Sequence, residues 1–214
     1  MEKPLQSTNE SLFKTWRELT SPYTADGAAQ SRLWKEMEAY YTSPKRYYHN
    51  LDHVAFMIKL SREYEAIMQD TSIVRFAVFY HDIIYNPLRK DNEEKSAELA
   101  LNRLSALGLE KIKISKCIDL IMATKSHHAT DDLDSTMIVD FDLAILGGTP
   151  ANYLTYTRQI RKEYSMYPDF LYIKGRKKVL GHFLSMDRIF KTSVFYDLYE
   201  TRARENISAE LEEL

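Results

Sequence analysis

Cysteine is all but missing from this chain of 214 residues: Cys117 is the only one. That count excludes a disulfide framework and a thiolate metal cluster. Cys117 stands among Ile114, Ile118 and Ile121 and reads as a core thiol. No apolar run approaches the roughly 20 residues a membrane-spanning helix needs. The N-terminal MEKPLQSTNESLF also has no apolar stretch of the kind that marks a secretory signal. The expectation is a cytoplasmic protein with no membrane partner. Excess charge of either sign is lacking too, since 29 basic residues against 31 acidic ones give a formal net charge of −2. That balance argues against a stable nucleic-acid partner. Strand-like alternation never runs beyond four residues, and there is no internal repeat or low-complexity linker.

What remains is helical periodicity. Leu12, Phe13, Trp16 and Leu19 share one face of a first segment, and Leu33, Trp34, Met37 and Tyr41 one face of a second. His53, Phe56, Met57, Leu60 and Tyr64 mark a third. Thr71 or Ser72 is expected to cap a fourth that ends at Asn86-Pro87. Gly108 closes a fifth, Ile114 to Ile121 carry a sixth, and Thr136 to Leu146 a seventh. Thr149-Pro150 starts an eighth, Pro168 a ninth, and a tenth runs from Ser193 to about Ser208, where the acidic tail is expected to fray. The pattern predicts an all-α, single-domain bundle of about ten helices over residues 1–214.

Three places put ionisable groups on stripes that should be buried. His53 heads the apolar face of the third helix. His81 and Asp82 share a stripe with Val74, Ala77 and Val78, and Asp142 shares one with Ile138, Phe141 and Ile145. A buried carboxylate costs several kcal/mol unless it is paired, hydrogen-bonded or metal-bound. Two imidazoles and two carboxylates suit one divalent ion such as manganese, iron, cobalt, nickel or magnesium. Asp140 competes with Asp142 but points to another face, with Met137 and Ala144, and fits a capping or ligand-orienting role. His49 lies four residues before His53, on the same face if the helix begins early.

The order H…HD…D, all on helices, resembles the HD superfamily of metal-dependent phosphohydrolases. RYYHNLDHV, FYHDIIYNP, VDFDLAILG and IRKEY are similar to a bacterial branch described as predicted HD-superfamily phosphohydrolases. The likeness runs from Arg46 to Tyr164, and less distinctly through GRKKVLGHFL to Asn206. An HD dipeptide alone is a weak signal, whereas the ordered set with its flanks is specific. The resemblance implies metal ligands at His53, His81, Asp82 and Asp142 in an HD-like core of about residues 46–164, with helices 168–208 packed on it. It also implies hydrolysis of a small-molecule phosphate ester, nucleotides included, by a metal-activated water.

On the same likeness Asp82 serves as ligand and base, and His49 is a pocket residue able to protonate a leaving group. Some HD enzymes place extra histidines where His127 and His128 stand. His127 is therefore a candidate catalytic residue or second-metal ligand, the second metal being the lesser reading. Lys125, Arg161 and Arg176 are the candidates for binding the substrate phosphate. The alternatives are a nucleotide-binding sensor that does not turn over and, behind it, a di-iron oxygenase of HD fold.

Overall fold

The computed structural model describes residues 5–126 and 131–214, and among these the chain is helical with no strand. Ten α-helices follow one another: α1 Leu5–Thr20, α2 Gly27–Tyr41, α3 Leu51–Glu63, α4 Thr71–Tyr80, α5 Asn92–Ala106, α6 Lys111–Ser126, α7 Leu133–Leu143, α8 Pro150–Glu163, α9 Asp169–Ser185 and α10 Ser193–Glu213. The all-α expectation of about ten helices holds. No helix among the described residues is long and apolar enough to cross a membrane. The chain divides into two compact units, Met1–Ile138 and Val139–Leu214, with the boundary inside α7. The expected metal-binding core of residues 46–164 straddles that boundary.

In the first unit α4 is the central element. Ile73, Val74 and Phe76 to Tyr80 are each at most 1% exposed, so the helix is enclosed on most of its circumference, with Arg75 as its polar exception. Trp16 of α1 meets the rings of Phe76, Phe79 and Tyr80 edge-on, at centroid distances of 5.9, 5.6 and 6.2 Å. Such aromatic pairs contribute about 0.5–1.5 kcal/mol beyond the area they bury. The start of α4 is fixed from two sides. Asp70, not Thr71 or Ser72, caps it by accepting from the Ile73 N–H at 3.0 Å. The buried Asp134 of α7 accepts from the N–H groups of Gln69 and Asp70 at 2.8 and 2.9 Å. Position 70 is the earlier side chain able to reach a free helical N–H, so the cap moves one residue upstream.

The second unit is built on α8, α9 and α10. Gly147 lets the chain pass α10 closely, because a Cβ there would lie 2.6 Å from both Cβ and O of Tyr199. Asn206 donates to the carbonyl oxygens of Leu146 and Gly148 at 2.8 and 3.0 Å, fastening α10 to the same turn. The acidic tail, expected to fray after Ser208, stays helical to Glu213. The reason is Glu210, which accepts from Arg176 at 2.7 and 2.9 Å and from the Tyr153 hydroxyl at 2.5 Å.

Candidate metal centre

Asn50 starts α3 by accepting from the N–H groups of Asp52 and His53 at 2.8 and 3.4 Å. That cap places His53 in the first turn, 4% exposed. It also leaves His49 outside α3, so the helix does not begin early and His49 reaches the site from the preceding loop. At the other end of the site, α4 stops at Tyr80. His81 is its C-cap, still donating its N–H to the Ala77 carbonyl at 2.8 Å, and Asp82 lies beyond the helix. The expectation that α4 continues to Asn86 is thus corrected: a turn closed by Ile83 N–H to Tyr80 O at 3.1 Å replaces the last helical turns.

These two helix ends bring His53, His81 and Asp82 together. The Nε2 atoms of His53 and His81 are 3.2 Å apart, His81 Nε2 and Asp82 Oδ2 are 3.2 Å apart, and His53 Nε2 and Asp82 Oδ2 are 3.9 Å apart. The circle through the three atoms has a radius of about 2.0 Å, the length of a bond from imidazole nitrogen or carboxylate oxygen to a small divalent ion, about 2.0–2.2 Å. His81 Nδ1 faces the Val78 carbonyl oxygen at 2.9 Å. A carbonyl only accepts, so Nδ1 carries the proton, and in the neutral ring Nε2 turns a lone pair inward. The donor set fits a divalent cation with borderline or hard preference.

Around the three donors, His49 Nε2 lies 4.0 Å from Asp82 Oδ2, and its ring stacks on Tyr85 at 4.2 Å. Tyr48 packs against His53 with centroids 4.8 Å apart. The N-terminus of α5 is stitched to the turn after Asp82. Asn86 and Asn92 exchange two bonds at 3.0 and 3.1 Å, and Ser96 Oγ accepts from the Ile84 N–H at 3.1 Å. This docking carries Glu93 to the edge of the site. Burial, reinforced by the charge of Asp82, pushes its carboxyl above the usual carboxylate range. Lys125 opposes that rise from 3.9 Å away.

Glu93 escapes a reading of the sequence because DNEE at a helix start looks like ordinary capping chemistry. Arg46 escapes it for another reason. Its guanidinium donates to the carbonyl oxygens of His49 at 3.0 Å, Asp82 at 2.6 Å and Ile83 at 2.6 Å, and backbone acceptors leave no mark in a side-chain pattern.

Asp140 and Asp142 lie in the second unit. Asp140 is fully buried and accepts from the N–H groups of Lys191 and Thr192 at 2.8 Å each and from the Thr192 hydroxyl at 2.7 Å. It thus anchors the residues just before α10, whose N-cap is Thr192. Burial raises its carboxyl and these donors pull it back. Asp142 is the only residue between Asp134 and Ala144 that is not buried. His127 and His128 fall outside the described residues.

The three expected phosphate-binding cations are all engaged by carboxylates. Lys125 pairs with Glu94 and also donates to the Lys90 carbonyl at 2.7 Å. Arg161 pairs with Asp169 at 2.5 Å and reaches the carbonyls of Tyr164 and Tyr167 at 3.0 and 3.2 Å, bracing the α8–α9 corner. Arg176, 8% exposed, is bonded twice to Glu210 and once to the Tyr156 hydroxyl at 3.2 Å. Burial works against the charge of Arg176, but Tyr156 and Glu210 hold its pKa above the ordinary arginine value. Comparison of the chain with protein-family models, curated proteins and solved structures gives no match.

Proposed function

We propose that the protein is a divalent-metal-dependent phosphohydrolase acting on a small-molecule phosphate ester, with nucleotides among the substrates to be tried first. The observation that carries this reading is the triangle of His53 Nε2, His81 Nε2 and Asp82 Oδ2, whose three edges suit donors to one cation. The reading rests on these three donors of the first unit alone. When bound, a divalent ion supplies Lewis acidity toward a phosphoryl oxygen and acidifies a water molecule.

The chain's own groups do the rest. His53 and His81 contribute neutral nitrogens held by the ends of α3 and α4, so the pocket needs little rearrangement to accept a cation. Asp82 offers one oxygen to the cation and a second to a proton of the attacking water. His49, placed 4.0 Å from Asp82 by its stack on Tyr85, is the donor for the departing oxygen. Lys125 is the cation best placed to meet substrate phosphate. Its pair with Glu94 is at the surface, and exposed pairs contribute only about 0–1 kcal/mol, so a phosphate oxygen can displace it. Arg161 and Arg176 brace the second unit, and phosphate binding is not assigned to them.

The test is a screen for phosphate release from nucleotides and sugar phosphates with manganese, cobalt, nickel and magnesium, beside elemental analysis of the purified protein. Release that requires metal and disappears in His81→Ala supports the reading. Tight nucleotide binding with no release under any metal replaces it with a sensor.

A further inference from the structure

The metal ligands of the first unit come from two pieces of chain that share no helix. His53 follows the loop 42–50, and His81 and Asp82 come directly after the last residue of α4. Covalent geometry does not fix the distance between them. The Arg46 side chain hydrogen-bonds to both pieces. Arg46 Nη1 donates to the His49 carbonyl at 3.0 Å on the α3 side and to the Asp82 carbonyl at 2.6 Å on the α4 side, while Nη2 donates to the Ile83 carbonyl at 2.6 Å. The guanidinium also lies over the rings of Tyr41 and Tyr85, 5.0 and 5.6 Å from their centroids. Tyr41 is 1% exposed and tied by its hydroxyl to the Phe79 carbonyl at 3.1 Å, and Tyr85 is the ring that stacks on His49.

The arrangement suits arginine specifically. The carbonyls that follow the last turn of a helix have no intrahelical donor, and the helix dipole places partial negative charge there. A planar fork with a fixed spread can answer carbonyls on two chain segments at once, whereas an ammonium group is a single point.

We infer that Arg46 is a positioning residue of the metal centre, setting the separation of His53 from His81 and Asp82 by clamping the carbonyls of His49, Asp82 and Ile83. The inference rests on the metal-centre reading and adds to it the residue that makes the donor triangle rigid before any cation arrives. Such preorganisation shows as affinity, because a site that must be assembled on binding holds its ion less tightly.

The experiment is a cobalt(II) titration of the metal-free full chain, read by its visible absorption and by calorimetry, for wild type, Arg46→Met, Arg46→Lys and Arg103→Met. Arg103 pairs with Glu36 at 2.6 Å in the same unit and controls for general loss of an ion pair. Thermal unfolding of each metal-free variant is recorded alongside. The expected result is a cobalt affinity at least tenfold weaker in Arg46→Met, with altered absorption bands. Arg46→Lys should fall between it and wild type, and Arg103→Met should match wild type in both readouts. Should Arg46→Met fail to fold, Arg46→Lys carries the same comparison. An Arg46 variant that loses thermal stability but keeps wild-type cobalt affinity and spectrum overturns the inference and leaves the metal centre standing. A wild-type chain that binds no cobalt overturns both.

Discussion

His81 turns its Nδ1 to the Val78 carbonyl oxygen at 2.9 Å, and that contact decides which nitrogen faces His53. Because the carbonyl can only accept, the proton of the neutral ring is held on Nδ1, and Nε2, 3.2 Å from His53 Nε2, carries a lone pair. A helix end has thereby set the tautomer that a metal ligand needs, using a backbone group one turn earlier. Substituting His81 by Gln keeps a polar side chain but loses this fixed orientation. The expected outcome is a cobalt(II) affinity reduced by at least a factor of 10, on the scale of losses seen when ligand orientation is removed, measured by calorimetric titration.

Asp140 and Asp142 are distinguishable by experiment. Asp140→Ala strands three donors inside the second unit, at Lys191 N, Thr192 N and Thr192 Oγ1. Its expected cost is about 3 kcal/mol in urea unfolding. Asp142→Asn, at a half-buried position, should cost less than about 1 kcal/mol.

Glu93 supplies a pH signature. Burial and the charge of Asp82 raise its folded pKa, so folding binds its proton more tightly than the unfolded chain does. The favourable contribution is complete below the unfolded value of 4.5 and is lost as pH rises through the raised folded value. Glu93→Gln removes the cost of holding that carboxylate charged. The metal-free variant is expected to unfold at a higher temperature than wild type at pH 7, with the gap closing as pH falls below 4.5.

The last turn of α10 depends on one buried ion pair. Glu210→Ala leaves the Arg176 guanidinium inside without its partner, which costs about 3–5 kcal/mol when a buried pair is broken from one side. Hydrogen exchange should then speed up over residues 208–213, while Glu212→Ala, at an exposed position of the same turn, should leave the exchange pattern unchanged.

The helices were legible because apolar residues recur at steps of three and four and because Thr149, Pro150 and Gly108 carry local signals. His53 and His81 stood out as polar groups on apolar stripes, and both are buried. The burial of Asp140 was not legible. Nearly all of α7 from Asp134 onward is enclosed, so no solvent face exists for a pattern to contrast with. The ordered tail of α10 was hidden for want of locality, since Glu210 meets partners 34 and 57 residues away in sequence. Arg46 was invisible because its acceptors are carbonyls, which every residue has.

Whether His53, His81 and Asp82 hold a cation is read from the metal content and cobalt(II) binding of the whole chain beside His81→Ala and Asp82→Ala. The expected result is about one divalent ion per wild-type chain and none retained by either variant after dialysis, both variants remaining folded by circular dichroism. Wild-type protein that binds no divalent ion, or variants that keep it undiminished, would rule out a metal centre at these three residues.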